Sequence, residues 1–354
     1  MTNYMGMHNI IIRTKNRILR YQRKIRIFLS KKIANVEFQK TWKPWMFNWV
    51  GDVLCTYNFI DIRKRNSRRI IVNITEATER SGLADRLKTM RTAYVCAAES
   101  GFDFYIYHTS GFRLEDYFEP NEINWKITAK EMSHGLNKIS FNFLYDKFRL
   151  LNDNGREWHF HKALASINDG FLPEELKHKY NDAEVYRKLF KFSDKLITMV
   201  NEAMDAKNLR ENEYNVVHTR FTNFFEIVEI YGQITSTEEE RKTMLKRLSL
   251  TLRKIHQETS KPIVLFSDSN TFLQYSHPEY IITFSGDVSH ISNSNSKKNY
   301  IDKTFIDFVV MSKAARIYSI IGDNIYGGGF AKDASYLGNK PYIQVPLEPS
   351  VNNQ

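Results

Sequence analysis

The sequence predicts an α/β chain made of two doubly wound domains. Three observations lead there. Short runs rich in Ile and Val alternate with longer segments whose apolar residues recur at helical spacing. The alternation occurs twice, over residues 69–108 and again beyond residue 210. Between the two lies a stretch, 112–205, with helical patterns and few strand candidates. Parallel strands need a long crossover, usually a helix, so this alternation implies parallel sheets.

In chain order, RRIIVNI (68–74) is the first strand candidate, with four of its residues Ile or Val. TEATERSG follows as a polar loop. The next segment places Leu83, Leu87, Met90 and Tyr94 at helical spacing. FDFYIYH (102–108) is a second strand, rich in aromatics. These three make one βαβ unit. The run from Glu174 to Met204 reads as helix, and residues 124–160 are ambiguous and carry no assignment.

Beyond residue 210 the alternation resumes. YNVVHT is a strand. TEEERKTMLKRLSLTLRKIHQET is a helix with an acidic first turn and a basic end, which suits the helix dipole. KPIVLFSDS and YIITFS are strands, DKTFIDFVVMSKA is a helix and RIYSIIG a strand. GGGFAKDASYLG is a glycine turn into a helix, and KPYIQV closes the series. Two such domains in 354 residues suggest a GT-B architecture: two Rossmann-like domains facing a cleft, with helical elaboration of the first. The expected divisions are a basic N-terminal helical segment (1–38), a first Rossmann-like domain with a helical insertion (39–205) and a second Rossmann-like domain (206–354).

Ligands of open α/β sheets bind beyond the carboxyl ends of the strands. The second domain offers four polar groups at strand ends, turns or helix faces: His218 with Arg220, Ser267-Asp268-Ser269, Asp307, and Gly327-Gly328-Gly329. A guanidinium can grip a diphosphate with two parallel bonds. A carboxylate such as Asp307 accepts bonds from a base edge that presents N–H donors; guanine presents two and uracil one. The glycines let backbone N–H groups approach phosphate at a helix N-terminus. Each feature alone also has a plainer reading: a surface charge for Asp307, a helix cap for Asp268, a flexible turn for the glycines. Their order along the chain is more specific than any one of them.

The net charge is +11 and the pI about 9.3, which suggests an anionic partner. From Arg13 to Lys32, nine of twenty residues are Arg or Lys and none is acidic, with Ile18, Leu19, Ile25, Phe28 and Leu29 interleaved. Such a segment reads either as a basic amphipathic helix on an anionic membrane or as a solvated helix with one face on the core. No nucleic-acid module is recognisable, so nucleic acid is not an expected partner. No apolar run reaches the length of a membrane span, and the first residues lack a secretory pattern. Cys55 and Cys96 form neither a disulfide framework nor a metal pattern, which suits reduced thiols in a cytoplasmic protein.

Four segments resemble the fucosyltransferase superfamily that includes the α1,2- and α1,6-fucosyltransferases, the rhizobial nodulation enzyme and the protein O-fucosyltransferases. SGLADRLKTMRTAYVCAAESG (81–101) is similar to the family's G-L-G-N-R-L turn and helix. VVHTRF is similar to its H-x-R-R strand end, and VLFSDSNTFL to a T-D-D strand end. Thr304 to Leu337 is similar to its D-x-x-x-L-S-x-A helix followed by a Ser-rich turn and F-S-R-x-A. The chain ends and residues 110–205 lie outside the resemblance.

The resemblance implies that Arg220 contacts the donor β-phosphate and that His218 and Asp307 hold guanine. It implies that Asp268 lies beside the donor pocket and that Gly328 and Gly329 hold phosphate. Arg86 matches the arginine of the N-terminal turn. The sequence departs from the pattern at four places. Phe221 stands for the second arginine, Asp85 for the Asn of the turn, glycines for the phosphate serines, and Lys332 for the arginine after them.

The expected activity is therefore inverting, metal-independent transfer of fucose or a related sugar from a GDP-sugar to a glycan or lipid-linked glycan. Other expectations with the same fold are a UDP-sugar donor or a protein that binds a nucleotide sugar without catalysis. No D-x-D triplet occurs. Candidate bases for the acceptor hydroxyl are Asp85, Glu76, Glu79 and Glu226. Trp125, Trp158 and Phe160 are candidates for stacking on sugar or for core packing, and His159 and His161 form a weak two-histidine pattern.

Overall fold

The structure is a computed structural model. It describes residues 68–74, 81–131, 138–139, 157–160, 172, 174–227, 233–288, 291 and 298–349, with only the backbone at 138–139 and 157–160. The basic segment 13–32, Cys55, Glu76, Glu79 and His161 lie outside the described residues, as do the side chains of Trp158, His159 and Phe160.

The first sheet begins as the sequence predicts. β1 (Arg69–Ile74) leads into α1 (Leu83–Ser100) and returns as β2 (Asp103–His108). α1 ends at Gly101, whose φ of 63° turns the chain sharply at the helix C-terminus. β4 (Lys138–Ile139) and β5 (Glu157–Phe160), both from the unassigned stretch, extend this sheet in the order β2-β1-β5-β4 with all pairs parallel.

The run expected to be helical from Glu174 to Met204 is broken. It forms α2 (Glu174–Lys179), α3 (Asp182–Leu189), β6 (Phe190–Phe192) and α4 (Asp194–Asp205), and β6 pairs antiparallel with β3 (Phe118–Pro120). Tertiary contacts override helical spacing here. Phe190 packs on Phe118 and Trp125, and the Trp125 indole donates to the Leu189 carbonyl at 2.6 Å. Ser193 then caps α4 by accepting from the Leu196 N–H.

The second sheet contains β7 (Asn215–Thr219), β8 (Ile263–Ser267), β9 (Ile281–Ile282), β10 (Arg316–Ile321) and β11 (Tyr342–Pro346) in the order β11-β10-β7-β8-β9. Every pair is parallel. β9 is shorter than the expected YIITFS strand. From β7 the chain first builds outward through β8 and β9, then returns to add β10 on the other side. The strand order therefore reverses between β7 and β10, and a crevice opens at such a point.

The connecting helices are α5 (Glu238–Thr259), α6 (Asn270–Leu273), α7 (Lys298–Ser312) and α8 (Gly329–Gly338). α5 starts with a reciprocal capping box between Thr237 and Glu240. α7 and α8 pack so closely that a Cβ on Gly338 would stand 2.0 Å from the Ser312 carbonyl oxygen, so only glycine fits.

One apolar cluster joins residues of both sheets and α1, α3, α4, α7 and α8. A second lies between β7, β8, β10 and α5. Across the join, Tyr117 stacks on Phe305 at 3.8 Å, and its hydroxyl donates to Asp302 at 2.6 Å.

Candidate active site

β7 is buried along its whole length, and its Val216 and Val217 make it a core strand. His218 sits in register with Phe266 of β8 and Ser319 of β10. Beyond it, His218 and Arg220 turn to the same neighbour. A Cβ on Gly328 would lie 3.4 Å from Arg220 Cδ and 3.5 Å from His218 Cε1. Gly328 is the N-cap of α8 and brings no capping side chain. The first N–H groups of α8 therefore lack that partner and carry the positive end of the helix dipole. The turn is tied back to the strand end, because the Tyr326 N–H donates to the Arg220 carbonyl at 2.9 Å.

His218 is 6% exposed, and its Nδ1 has no hydrogen-bond partner. Burial, helped by the charge of Arg220, lowers its pKa to about 4, so the imidazole is neutral near pH 7.

The strand end is clamped by Asp268, which follows β8. Its two oxygens accept the backbone N–H groups of Phe221 (2.8 Å) and Thr222 (2.9 Å). Burial raises its pKa to about 6, against these bonds and the charge of Arg220. Asp268 thus shapes the loop directly after Arg220. Phe221 is 1% exposed and packs on Phe225 (4.8 Å) and Phe272 (5.1 Å). At the place of a second arginine, this chain carries a core residue.

Asp307 lines a pocket of about 550 Å³ between α4, α7 and the 284–287 loop. Both of its oxygens accept from Lys303 Nζ at 2.8 Å. Burial raises its pKa to about 6, and Lys303 opposes the shift. Each carboxylate oxygen keeps a further lone pair for a ligand donor. The pocket connects to the strand end through aromatics: Phe266, paired with His218, stacks on Phe284 at 5.9 Å, and Phe284 lines the pocket.

α1 faces the same helix terminus from the other sheet. A Cβ on Gly329 would meet Ala84 Cβ at 3.1 Å and Lys88 Nζ at 2.8 Å. Asp85 lies in the same turn as Ala84 and is partly buried. Arg86, the match to the arginine of the N-terminal turn, is tied into the protein interior. It is buried, donating to Ser110 O (2.7 Å), Ser81 O (3.1 Å) and His108 Nε2 (2.9 Å). His108 Nδ1–H then donates to Phe112 O at 3.1 Å, a tautomer consistent with a pKa lowered to about 3 by burial and by Arg86. Arg86 therefore fixes the start of α1 to the end of β2.

Lys332 is drawn over the Tyr336 ring, 5.7 Å from its centroid and one turn along α8 from its own position. Glu226 is also accounted for structurally: its carboxylate accepts the N–H groups of Asn270 and Thr271 and caps α6. Trp125 is buried in the core, so the packing reading holds for it.

Sequence reasoning missed three charged groups: Lys88, Lys303 and Asp333. Asp333, 1% exposed on α8, has its pKa raised to about 7 by burial, opposed by Lys88 and Arg91 on α1. Lys303 had a readable signal, four residues before Asp307 on the same helix. Lys88 had none beyond lying on the polar side of α1.

Among the described residues no helix is long and apolar enough to cross a membrane, and no group of three or more His, Cys, Asp or Glu could hold a metal.

No family model matches the chain, and no curated protein matches it. Solved structures do. The α-1,6-fucosyltransferase NodZ, in a crystal soaked with GDP-fucose, aligns with a TM-score of 0.52 at 13% identity, over 77% of this chain and 92% of that one. The selenomethionine form of NodZ from Bradyrhizobium aligns with a TM-score of 0.52 at 14% identity, over 81% and 97%. The chain shares the NodZ fold. NodZ co-crystallised with GDP gives a TM-score of 0.51 at 14% identity, over 76% and 91%. At this identity the likeness establishes the α/β, GT-B-like architecture. The site rests on the geometry described above.

Proposed function

We propose that this chain is a glycosyltransferase that takes its sugar from a GDP-sugar, with fucose or a close relative as the sugar. One observation carries the reading: His218, Arg220 and the uncapped N-terminus of α8 meet at the switch point between β7 and β10. Neutral imidazole, guanidinium and oriented N–H groups suit a nucleoside diphosphate. The shared fold supports the same reading, because NodZ is a fucosyltransferase solved with GDP and soaked with GDP-fucose.

In this reading residues 206–354 hold the donor and 39–205 face the acceptor. Arg220 and the α8 N–H groups neutralise the departing diphosphate as the anomeric bond breaks, where charge develops. Attack by the acceptor hydroxyl from the opposite face inverts the anomeric centre. Asp85, in the first turn of α1, is the candidate base. No step requires a metal. The acceptor is a glycan or lipid-linked glycan of a surface polysaccharide, reached from the cytoplasmic side, with residues 13–32 resting on anionic lipid.

Donor hydrolysis tests the reading. Purified protein should release GDP slowly from GDP-fucose without acceptor and should leave UDP-sugars intact. Release of UDP instead would move the donor to the uridine class. Binding of GDP-fucose with no turnover under any acceptor would favour a binding protein, a reading to which Phe221 in place of a second arginine lends weight.

A further inference from the structure

The anion site at α8 is more strongly positive than β7 alone can make it. The strand end supplies a single guanidinium, since Phe221 is committed to the core. Lys88 then enters from the other sheet. Its ammonium stands 2.8 Å from where a Gly329 Cβ would be, at the first residue of α8. A cation placed against the positive end of a helix dipole, one residue from the glycine that Arg220 approaches, is unfavourable unless an anion joins them. The buried carboxylate that feels Lys88 is Asp333, and it shares that charge with Arg91 and Lys332. His218 Nδ1, buried and unpartnered at the same terminus, is an independent sign that a ligand completes the site.

We propose that Lys88 is a diphosphate-binding residue, so that the donor's diphosphate is held between Arg220 and the α8 terminus on one sheet's side and Lys88 on the other's. This rests on the donor reading above and adds a residue to it. Glycine at 329 has a corresponding role: any side chain there would displace the Lys88 ammonium. The diphosphate thereby bridges α1 and α8, which already pack together at Ala84 and Gly329.

Calorimetry with GDP and guanosine on wild type, Lys88→Met and Lys88→Arg tests it. Lys88→Met should weaken GDP by about 10- to 100-fold, the range for one charge-assisted bond, and leave guanosine unchanged. Lys88→Arg should recover most of the loss. In the wild-type protein, GDP should also shield Lys88 from amine acetylation, read by peptide mass spectrometry, and this measurement decides alone if the Met variant does not fold. GDP binding that Lys88→Met leaves intact, or equal labelling with and without GDP, overturns the role of Lys88 while the donor reading stands. A wild-type protein indifferent to GDP overturns both.

Discussion

The Asp268 carboxylate accepts the backbone N–H of Phe221 at 2.8 Å, and its second oxygen accepts the neighbouring Thr222 N–H at 2.9 Å. Thr222 has a φ of 56°, an uncommon conformation for a β-branched residue. The pair of bonds holds the chain in that conformation directly after Arg220. Asp268→Asn keeps one acceptor and turns an amide donor toward the other N–H. Stability should fall by about 1–3 kcal/mol, the cost of leaving a buried donor unpaired. Turnover should fall with it, and GDP affinity too, since Arg220 loses its placement. A variant with wild-type urea midpoint and activity would show that the clamp is dispensable.

Asp333 gives a pH prediction. Its pKa rises from 3.8 to about 7 because it is buried on α8, facing Lys88 and Arg91 of α1, Tyr186 of α3 and Lys332 on its own helix. A raised carboxyl binds its proton more tightly in the folded state than in the unfolded one. Its contribution to stability therefore declines as pH rises from about 4 to 7. Asp333→Asn removes that decline. The stability of the variant relative to wild type should improve from pH 5 to pH 8, by about 2.7 kcal/mol as a ceiling, since that window covers roughly two pH units of the shift. Urea unfolding at the two pH values checks it, and a constant difference would mean that Asp333 stays ionised in the fold throughout.

Much of this fold is legible because its strands are short Ile and Val runs separated by helical spacing. β1, β7, β8 and β10 are of this kind, and their parallel pairing follows from the helices between them. β5, with the sequence Glu-Trp-His-Phe, carries no such run, and β6 is hidden inside a helical pattern. What makes β6 a strand is the contact of Phe190 with Phe118 and Trp125, which lie far away in sequence. The site divides in the same way. His218, Arg220 and the glycines are visible because strand ends and glycine turns are local features. Arg86 and Lys88 are two residues apart on one helix, yet one is locked into the core and the other reaches α8. Only the rotation of α1 against its neighbours decides which is which.

In the proposed reading, Asp307, held by Lys303, meets the base. Guanine offers two N–H donors to the Asp307 carboxylate, and uracil offers one. GDP should therefore stabilise the protein more than UDP, by a factor of about ten in affinity or 1.4 kcal/mol. Asp307→Asn should weaken GDP selectively, since an amide oxygen accepts the two donors less well. Because burial places the Asp307 pKa at about 6, GDP affinity should also drop as pH falls below that value, when the carboxyl takes up its proton. Thermal shifts with both nucleotides at pH 5 and pH 8 test all three statements. Equal shifts by GDP and UDP would remove the guanine assignment.

Arg220 is where binding and turnover should separate. Its neighbours His218 and Gly328 place it at the terminus of α8, and its side chain is partly exposed there. Arg220→Lys keeps the charge and loses the planar fork. It should retain part of the GDP affinity and lose most of the turnover, because the two-pronged contact matters most as the diphosphate leaves. Arg220→Ala should lower turnover by roughly two to three orders of magnitude, comparable with removing one preorganised oxyanion donor. The melting curve without ligand is the deciding control. A guanidinium that serves the ligand adds little to the core, so the apo protein should melt within a few degrees of wild type. If Arg220→Ala instead unfolds the apo protein, the guanidinium is a structural tie between the strand end and its surroundings, and the diphosphate must be held by other groups.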